Sequence, residues 1–294
     1  MVFSDLLQPI KYHLEKSAVS RSIPDITNIK NRLVLKEHPL KSCDESFDHT
    51  LWNNVLQRHV KAAPQTIHDI TGVNVVDYEG MGNDPEFTQY LDQLKTAKVE
   101  TMAKAEQLAF WMNAYNACAI SLIVQHEKQH GNGSLTSITK LSNFETAGPV
   151  WDKKAGIVAG MSVSLNDIEH KQLRQVWAEP QVHACIVCAS ASCPNLRREA
   201  FVATKLQEQM DDQMKEWMSN PTKGLKLDTS SNRLYVSRIF LWFADDFGGL
   251  KGLQQWLPQY ITDKTVADKV ASGKVPVRYF GYDWSMNRAD STPK

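Results

Sequence analysis

The sequence predicts a fold of the α+β class, with a central buried helix packed on a small mixed or antiparallel sheet and with further helices around it. The segment KAEQLAFWMNAYNACAISLIVQHEKQHG is long and apolar nearly all round, which is typical of a helix that is buried on every side. Helical and strand-like segments also follow one another without regular strand–helix alternation, which favours α+β over α/β. A segment that resembles a β-hairpin, GLKLDTSSNRLYVSRIFLWF, supplies part of the sheet.

The chain divides into three parts by composition. Residues 1–46 are polar and weakly patterned, and we interpret them as an N-terminal extension that is partly helical around SDLLQPIKYHLEK. Residues 47–287 carry the periodic apolar segments and are predicted to form a single globular domain. Residues 288–294 form a polar tail.

The first half of the predicted domain contains four helices and a few short strands. FDHTLWNNVLQRHV and DPEFTQYLDQLKTAK have apolar residues at helical spacing, and VNVVDY between them resembles a strand. The central helix is expected to end at Gly131, because glycine commonly follows the last helical residue. Short strands are predicted near AGIVAG. The segment SLNDIEHKQLRQVW then begins a helix with Ser164 or Asn166 as the N-cap.

The second half begins with VHACIVCAS, which has the β-branched and apolar composition of a short buried strand ended by Pro194. REAFVATKLQEQMDDQMKEWMSN is predicted to form an amphipathic helix. The hairpin follows with its turn at TSSN, and GGLKGLQQWLPQYIT is predicted to form another helix. PVRYFGYDWSMN supplies a final strand.

Charge and hydropathy limit the possible classes of protein. The chain has 33 basic and 33 acidic residues and no net charge, which argues against a nucleic-acid binder with a basic face. No run of about 18 consecutive apolar residues predicts a membrane span. The N-terminus lacks the pattern of a signal peptide, so a cytoplasmic location is expected. The partner is predicted to be a small molecule or a protein of unknown identity. The oligomeric state is left open.

The five cysteines do not have the pattern of a secreted disulfide framework, because their number is odd and three of them are clustered. Reduced thiols fit this pattern better. The spacing of His183, Cys188 and Cys193 matches none of the common zinc motifs, so no metal and no cofactor are predicted. CIVC has C-x-x-C spacing, but on a strand its two cysteines would point to opposite faces, unlike a redox pair at a helix start.

The segment VHACIVCASASCPNL is the first candidate site. On a regular strand His183 and Cys188 would lie on opposite faces, and Cys185 and Cys188 would be small core residues. The small residues and proline after the strand predict a tight surface turn. Cys193 and Ser190 on that turn are therefore the better nucleophile candidates by position.

Two helices supply the other candidates. Asn113 and Asn116 lie on one face of the apolar central helix, either bound to neighbouring backbone or facing a pocket beside Tyr115. In NDIEH, His170 is followed four residues later by Arg174, so their side chains share a helix face. Glu169 can act on an imidazole only if the fold turns both side chains inward.

Five motifs occur in an order that resembles a known family: QLAFWMNAYNA, WDKKAGIVAGMSVSLNDIEHKQLR, VHACIVCASASCPNLRREAF, RLYVSRIFLWFADDFGG and YFGYDWSMN. Together they resemble the family catalogued as domain of unknown function 547, over about residues 47–287. The family's marker segment usually has Asn-Cys-Ala-Ser where this chain has Val187, Cys188, Ala189 and Ser190. The resemblance marks these residues: Asn113, Tyr115, Asn116, Glu169, His170, His183, Cys188, Ser190 and Cys193. It implies no settled activity.

Two hypotheses about function remain. In the first, the protein is a thiol-dependent hydrolase or acyl transferase, with Cys193 or Cys188 as the nucleophile and His183 or His170 as the base. Glu169 would orient the base. A sulfur within about 4 Å of an imidazole nitrogen is expected in that case. In the second, the marker residues are a structural network in a non-catalytic interaction or ligand-binding module, with Trp111, Trp151 and Trp242 building a groove.

Overall fold

The computed structural model describes residues 46–142 and 149–289, so the helix predicted around SDLLQPIKYHLEK lies outside the described residues. The described α-helices are α1 (Thr50–His59), α2 (Tyr78–Asn83), α3 (Pro85–Lys95), α4 (Lys104–His130), α5 (Gln175–Trp177), α6 (Val182–Cys185), α7 (Leu206–Ser219), α8 (Ile239–Trp242), α9 (Gly249–Trp256) and α10 (Lys264–Ala271). A π-helix, Asp167–Arg174, precedes α5. The strands are β1 (Val60–Ile67), β2 (Ile70–Val76), β3 (Lys154–Val158), β4 (Met161–Ser164), β5 (Leu225–Asp228), β6 (Arg233–Val236) and β7 (Val277–Tyr279).

Helix α4 is the central buried helix that its composition predicts. It ends at Gly131, whose N–H binds the Glu127 carbonyl and whose φ of 96° suits glycine. It is also the one helix among the described residues that is long and apolar enough to cross a membrane, but 94% of its apolar window is buried inside the protein. This burial is typical of a core helix.

The α+β class is confirmed, but the strands form three small sheets rather than one. Strands β1 and β2 pair as a hairpin, β3 and β4 pair as a second hairpin, and β5, β6 and β7 form a three-stranded sheet. The predicted hairpin turn at TSSN is confirmed, because β5 and β6 are antiparallel with Asp228 opposite Arg233. Strand β7 adds to β6 in parallel and makes this sheet mixed.

The buried strand predicted at VHACIVCAS is wrong. Residues 182–185 form helix α6, and the chain then runs extended from Ile186 without a neighbouring strand. The carboxamide of Asn116 makes the backbone hydrogen bonds that a neighbouring strand would make. Its Nδ2 donates to the Cys185 carbonyl at 2.9 Å, and its Oδ1 accepts from the Val187 N–H at 2.8 Å.

Asn113 likewise makes two hydrogen bonds with the backbone of another extended segment of the chain. Its carboxamide donates to the Phe201 carbonyl at 2.8 Å and accepts from the Phe201 N–H at 3.0 Å. The central helix therefore satisfies buried backbone groups through two amides three residues apart, which lie on the same helix face. This arrangement fixes the extended residues beside Cys188 against α4.

The predicted N-cap at Ser164 is present as a reciprocal cap. The Ser164 hydroxyl accepts from the Asp167 N–H at 3.0 Å, and the Asp167 carboxylate accepts from the Ser164 N–H at 2.9 Å. The alternative cap, Asn166, donates instead to the Asp152 carboxylate at 2.7 Å. This cap fixes the start of the helical segment that carries Glu169, His170 and Arg174.

Candidate functional site

A small cavity lies where α4, the π-helix, α6 and the C-terminal segment meet. Its volume is about 50 Å³, which is room for a water-sized molecule or a single reacting group. Six of the residues that line it carry groups that can exchange protons: Tyr115, Glu169, His183, Cys188, Cys193 and Tyr282.

Aromatic side chains form much of the remaining wall. Trp242 stacks on Trp284 with ring centroids 5.6 Å apart, and Trp151 packs at 5.9 Å from Trp284. Phe243 covers the ring of His183 at 4.2 Å. The polar groups thus face a cavity with apolar walls, in which electrostatic interactions are stronger than in water.

Cys188 and Cys193 form a hydrogen-bonded thiol pair. The Cys193 sulfur accepts from the Cys188 backbone N–H at 3.3 Å and lies 3.0 Å from the Tyr282 hydroxyl oxygen. The Cys188 sulfur lies 3.5 Å from the same hydroxyl oxygen. Because Ser190 donates to that oxygen at 3.1 Å, the Tyr282 proton is directed towards the sulfurs.

The pKa values of the two thiols are shifted in opposite directions. Burial would raise the pKa of Cys193, but the side-chain hydrogen bonds that its sulfur accepts outweigh burial and lower its pKa to about 6. The hydrogen bond to Cys193, together with burial, raises the pKa of Cys188 well above its usual value. Cys193 is therefore the sulfur of the pair that loses its proton first. Cys188 is half-buried, whereas Cys193 is 2% exposed.

The pair is held by a turn whose backbone is strained. Ala189 has a φ of 61°, a left-handed conformation that is unfavourable for a residue with a Cβ. The C-terminal segment holds this turn in place, because the Asn287 N–H binds the Ala189 carbonyl at 3.0 Å and the Ala191 N–H binds the Ser285 carbonyl at 2.8 Å. Strain that the surrounding structure maintains in this way is common at functional sites.

A second group joins His183 to a buried ion pair. The Nε2 atom of His183 lies 2.7 Å from the Asp246 carboxylate, and Arg174 donates to both oxygens of that carboxylate at 2.6 and 2.8 Å. Burial lowers the pKa of His183 more than Asp246 raises it, so the imidazole is mainly neutral at pH 7. Asp246 thus orients a neutral imidazole whose ring lines the cavity.

Glu169 belongs to a third group. It hydrogen-bonds with Tyr115 of the central helix, and burial raises its pKa to about 7. In a π-helix, backbone bonds join residues five apart, so Glu169 and Arg174 both turn into the protein. The pKa of Glu169 is near neutrality, which suits a group that both donates and accepts a proton.

The structure brings Tyr115, Glu169, His183, Cys188 and Cys193 around one cavity. His183 and Cys188 converge because the chain changes from helix to extended backbone at Ile186, which a regular strand would not allow. The hydrogen bonds of His183 and of the two thiols do not form the thiol–imidazole contact that the sequence predicts. His183 binds Asp246, and the thiols bind Tyr282 and each other.

The other candidates are not among the residues that line the cavity. Asn113 and Asn116 bind backbone, as the first of the two alternatives stated. His170 and Arg174 share a face, with Nδ1 of His170 2.6 Å from the guanidinium, so Arg174 links His170 to Asp246. Ser190 is buried and binds the Tyr282 hydroxyl.

Sequence reasoning missed Asp246 and Tyr282. Both lie in motifs that the family resemblance includes, FADDF and YFGYDW, but nothing in their local spacing relates them to the thiols. Of the three predicted groove tryptophans, Trp151 and Trp242 line the cavity, whereas Trp111 packs in the core against Phe110. Among residues 46–142 and 149–289, no cluster of three or more His, Cys, Asp or Glu side chains is placed to hold a metal ion.

Comparison with known families covers the part of the chain that carries the thiol pair and Glu169. The family model described as Protein of unknown function, DUF547, matches residues 99–218. This segment belongs to the DUF547 family. No curated protein and no solved structure gives a significant match.

The DUF547 segment contains α4, the π-helix and the thiol pair, but Asp246 and Tyr282 lie beyond its end. The matched range is narrower than residues 47–287, over which the sequence resembles the family. The cavity is therefore built from the DUF547 segment together with residues of α8, the turn that follows it and the C-terminal segment.

Proposed function

We propose that the DUF547 segment, together with the C-terminal residues that complete its cavity, is a thiol-dependent hydrolase or acyl transferase with Cys193 as the nucleophile. The observation that carries this proposal is the set of donors on one sulfur, the Cys188 N–H and the Tyr282 hydroxyl, in a cavity that also holds Glu169 and His183. A thiol whose pKa is lowered in this way is ionised at neutral pH, and the thiolate is the reactive form.

The groups support a two-step acyl transfer. The Cys193 thiolate attacks the carbonyl carbon of an ester or amide, and protonated Glu169 gives its proton to the leaving group as the carbon–heteroatom bond breaks. The thioester that forms is then attacked by water or an acceptor alcohol, whose proton passes to His183. Collapse of this second intermediate releases the thiolate, and the proton returns from His183 to Glu169.

The second candidate is a non-catalytic ligand-binding or interaction module. The burial of Cys193 and the small volume of the cavity favour it, since the polar side chains could then be a structural network. In that case the thiols react only when the protein unfolds, and replacing Cys193 lowers stability without changing binding to a partner.

The dependence of thiol alkylation on pH tests the proposal. We expect the rate of iodoacetamide labelling at Cys193 in the folded protein to be half-maximal near pH 6 and flat above pH 7.5, following its lowered pKa. An ordinary thiol of pKa about 8.5 continues to gain reactivity above pH 8. Labelling is measured cysteine by cysteine with mass spectrometry.

Variants of the same pair sharpen the measurement. Cys188→Ala removes one donor to the Cys193 sulfur, so the midpoint for Cys193 is expected to move to higher pH. Cys185→Ala is the matched control, because this buried thiol lies in the same segment but outside the cavity lining, and it should leave the midpoint unchanged. A Cys193 that is labelled only in denaturant would overturn the thiol mechanism and favour the binding module.

A further inference from the structure

We propose that Cys188 and Cys193 form a reversible disulfide when the protein meets a small hydroperoxide. The two thiols thus also reduce peroxide, and the disulfide that forms removes the Cys193 thiolate. The inference rests on the ionised Cys193 of the proposed function, but not on its acyl chemistry.

Geometry supplies the first argument. Both sulfurs lie within hydrogen-bond distance of the Tyr282 hydroxyl oxygen, at 3.0 Å for Cys193 and 3.5 Å for Cys188. The Cys188 backbone N–H also points at the Cys193 sulfur, at 3.3 Å. The two thiols also share a hydrogen bond, so their side chains already face each other, as a disulfide requires.

The chemistry of the pair supplies the second argument. Its two thiols differ in acidity, as an attacking and a resolving cysteine must. The Cys193 thiolate attacks one oxygen of hydrogen peroxide, the O–O bond breaks, and the hydroxide that leaves takes a proton from the solvent to become water. The Cys188 thiol then attacks the resulting sulfenic sulfur, an S–S bond forms, and a second water leaves with the proton of Cys188.

Access and size supply the third argument. Cys188 is half-buried rather than sealed, and both thiols line the cavity of about 50 Å³. A cavity needs about 10–15 Å³ of volume on this scale to hold one water, so a hydroperoxide group with its two oxygens fits this space. The remaining described cysteines, Cys118 and Cys185, are buried, and burial raises the pKa of each, so neither offers a thiolate at neutral pH.

Titration of the reduced full chain with hydrogen peroxide tests the inference. We expect the number of thiols that can be alkylated in denaturant to fall from five to three, and to return to five with dithiothreitol. Mass spectrometry should show the loss of two hydrogens within the peptide that contains Cys185, Cys188 and Cys193. Cys185→Ala, the matched control, should still lose two thiols and so assign the bridge to the other two cysteines.

Cys188→Ala separates the two chemical steps. Without the resolving thiol, Cys193 should stop at sulfenic acid, which a dimedone probe captures, and no intramolecular bridge should form. Tyr282→Phe keeps the ring and removes the shared hydroxyl, so oxidation at pH 6 should slow. A bridge that persists in Cys188→Ala, or wild-type thiols that stay at five, overturns the inference. If Cys193 still alkylates with a midpoint near pH 6 in that case, the proposed function stands alone; if it does not, both fail.

Discussion

Asp246→Asn is expected to lower the free energy of unfolding by about 3–5 kcal/mol at pH 7, because it leaves a buried guanidinium without its counter-charge. Arg174 is 6% exposed and both of its bonds to Asp246 are shorter than 3 Å. The carboxamide keeps the shape of the side chain but directs an N–H group at Arg174 or His183. A loss of this size corresponds to roughly 6–20 °C in Tm, which thermal unfolding measures readily.

Asp245→Asn is the matched control, because the neighbouring carboxylate is exposed. We expect its effect on Tm to stay within the small range of ordinary surface substitutions. The hydrogen bonds of Asp246 to His183 and Arg174 outweigh burial and hold its pKa well below the usual range. Its stabilising effect is therefore complete above the unfolded pKa of about 3.9 and is lost only as pH falls through the lower folded value. Equal effects of the two substitutions would show that the buried pair does not stabilise the fold.

The parts of the fold that the sequence predicts are those in which local pattern and packing agree. Helix α4 is apolar nearly all round and is buried all round, and its end is marked by Gly131. The β5–β6 hairpin has a polar turn between two apolar runs. In each case one stretch of chain carries the whole signal.

The prediction failed where a side chain replaces a secondary-structure partner. VHACIVCAS has the composition of a buried strand, but Asn116 supplies the donor and acceptor that a neighbouring strand would supply. Nothing in the segment itself indicates this, because the amide comes from a helix about 70 residues earlier in the chain. The change from helix to extended backbone at Ile186 is also what brings His183 and Cys188 to one cavity.

Only part of the site was predicted, and the reason is similar. Residue chemistry marks the thiols, Glu169 and His183 within the sequence, but the partners that set their acidity come from distant segments. Asp246 orients His183 from 63 positions away, and Tyr282 reaches Cys193 from 89 positions away. Aspartate and tyrosine are common residues, so only the three-dimensional contact distinguishes these two from the others in the chain.

Glu169→Gln is expected to raise stability at high pH, which is the opposite of what replacing a structural hydrogen-bond partner does. Burial raises the pKa of Glu169 from about 4.3 in the unfolded chain to about 7, so the folded protein binds this proton more tightly than the unfolded chain does. The stability due to this group is complete below pH 4 and is lost as pH rises through 7. Glutamine stays neutral, so the variant should exceed wild type by roughly 3 kcal/mol at pH 8.5 and match it near pH 4.

The sign of this difference distinguishes the two candidate functions. A carboxyl that destabilises the protein as it ionises is one that the fold holds protonated near neutrality, as the general acid of the proposed acyl transfer must be. Urea unfolding of both proteins from pH 4 to pH 8.5 measures the difference, and Glu208→Gln, at an exposed position, is the control. If Glu169→Gln instead lowers stability by the same amount at every pH, the carboxyl serves only to hold Tyr115. The cavity would then be a structural network of the binding module rather than the site of acyl transfer.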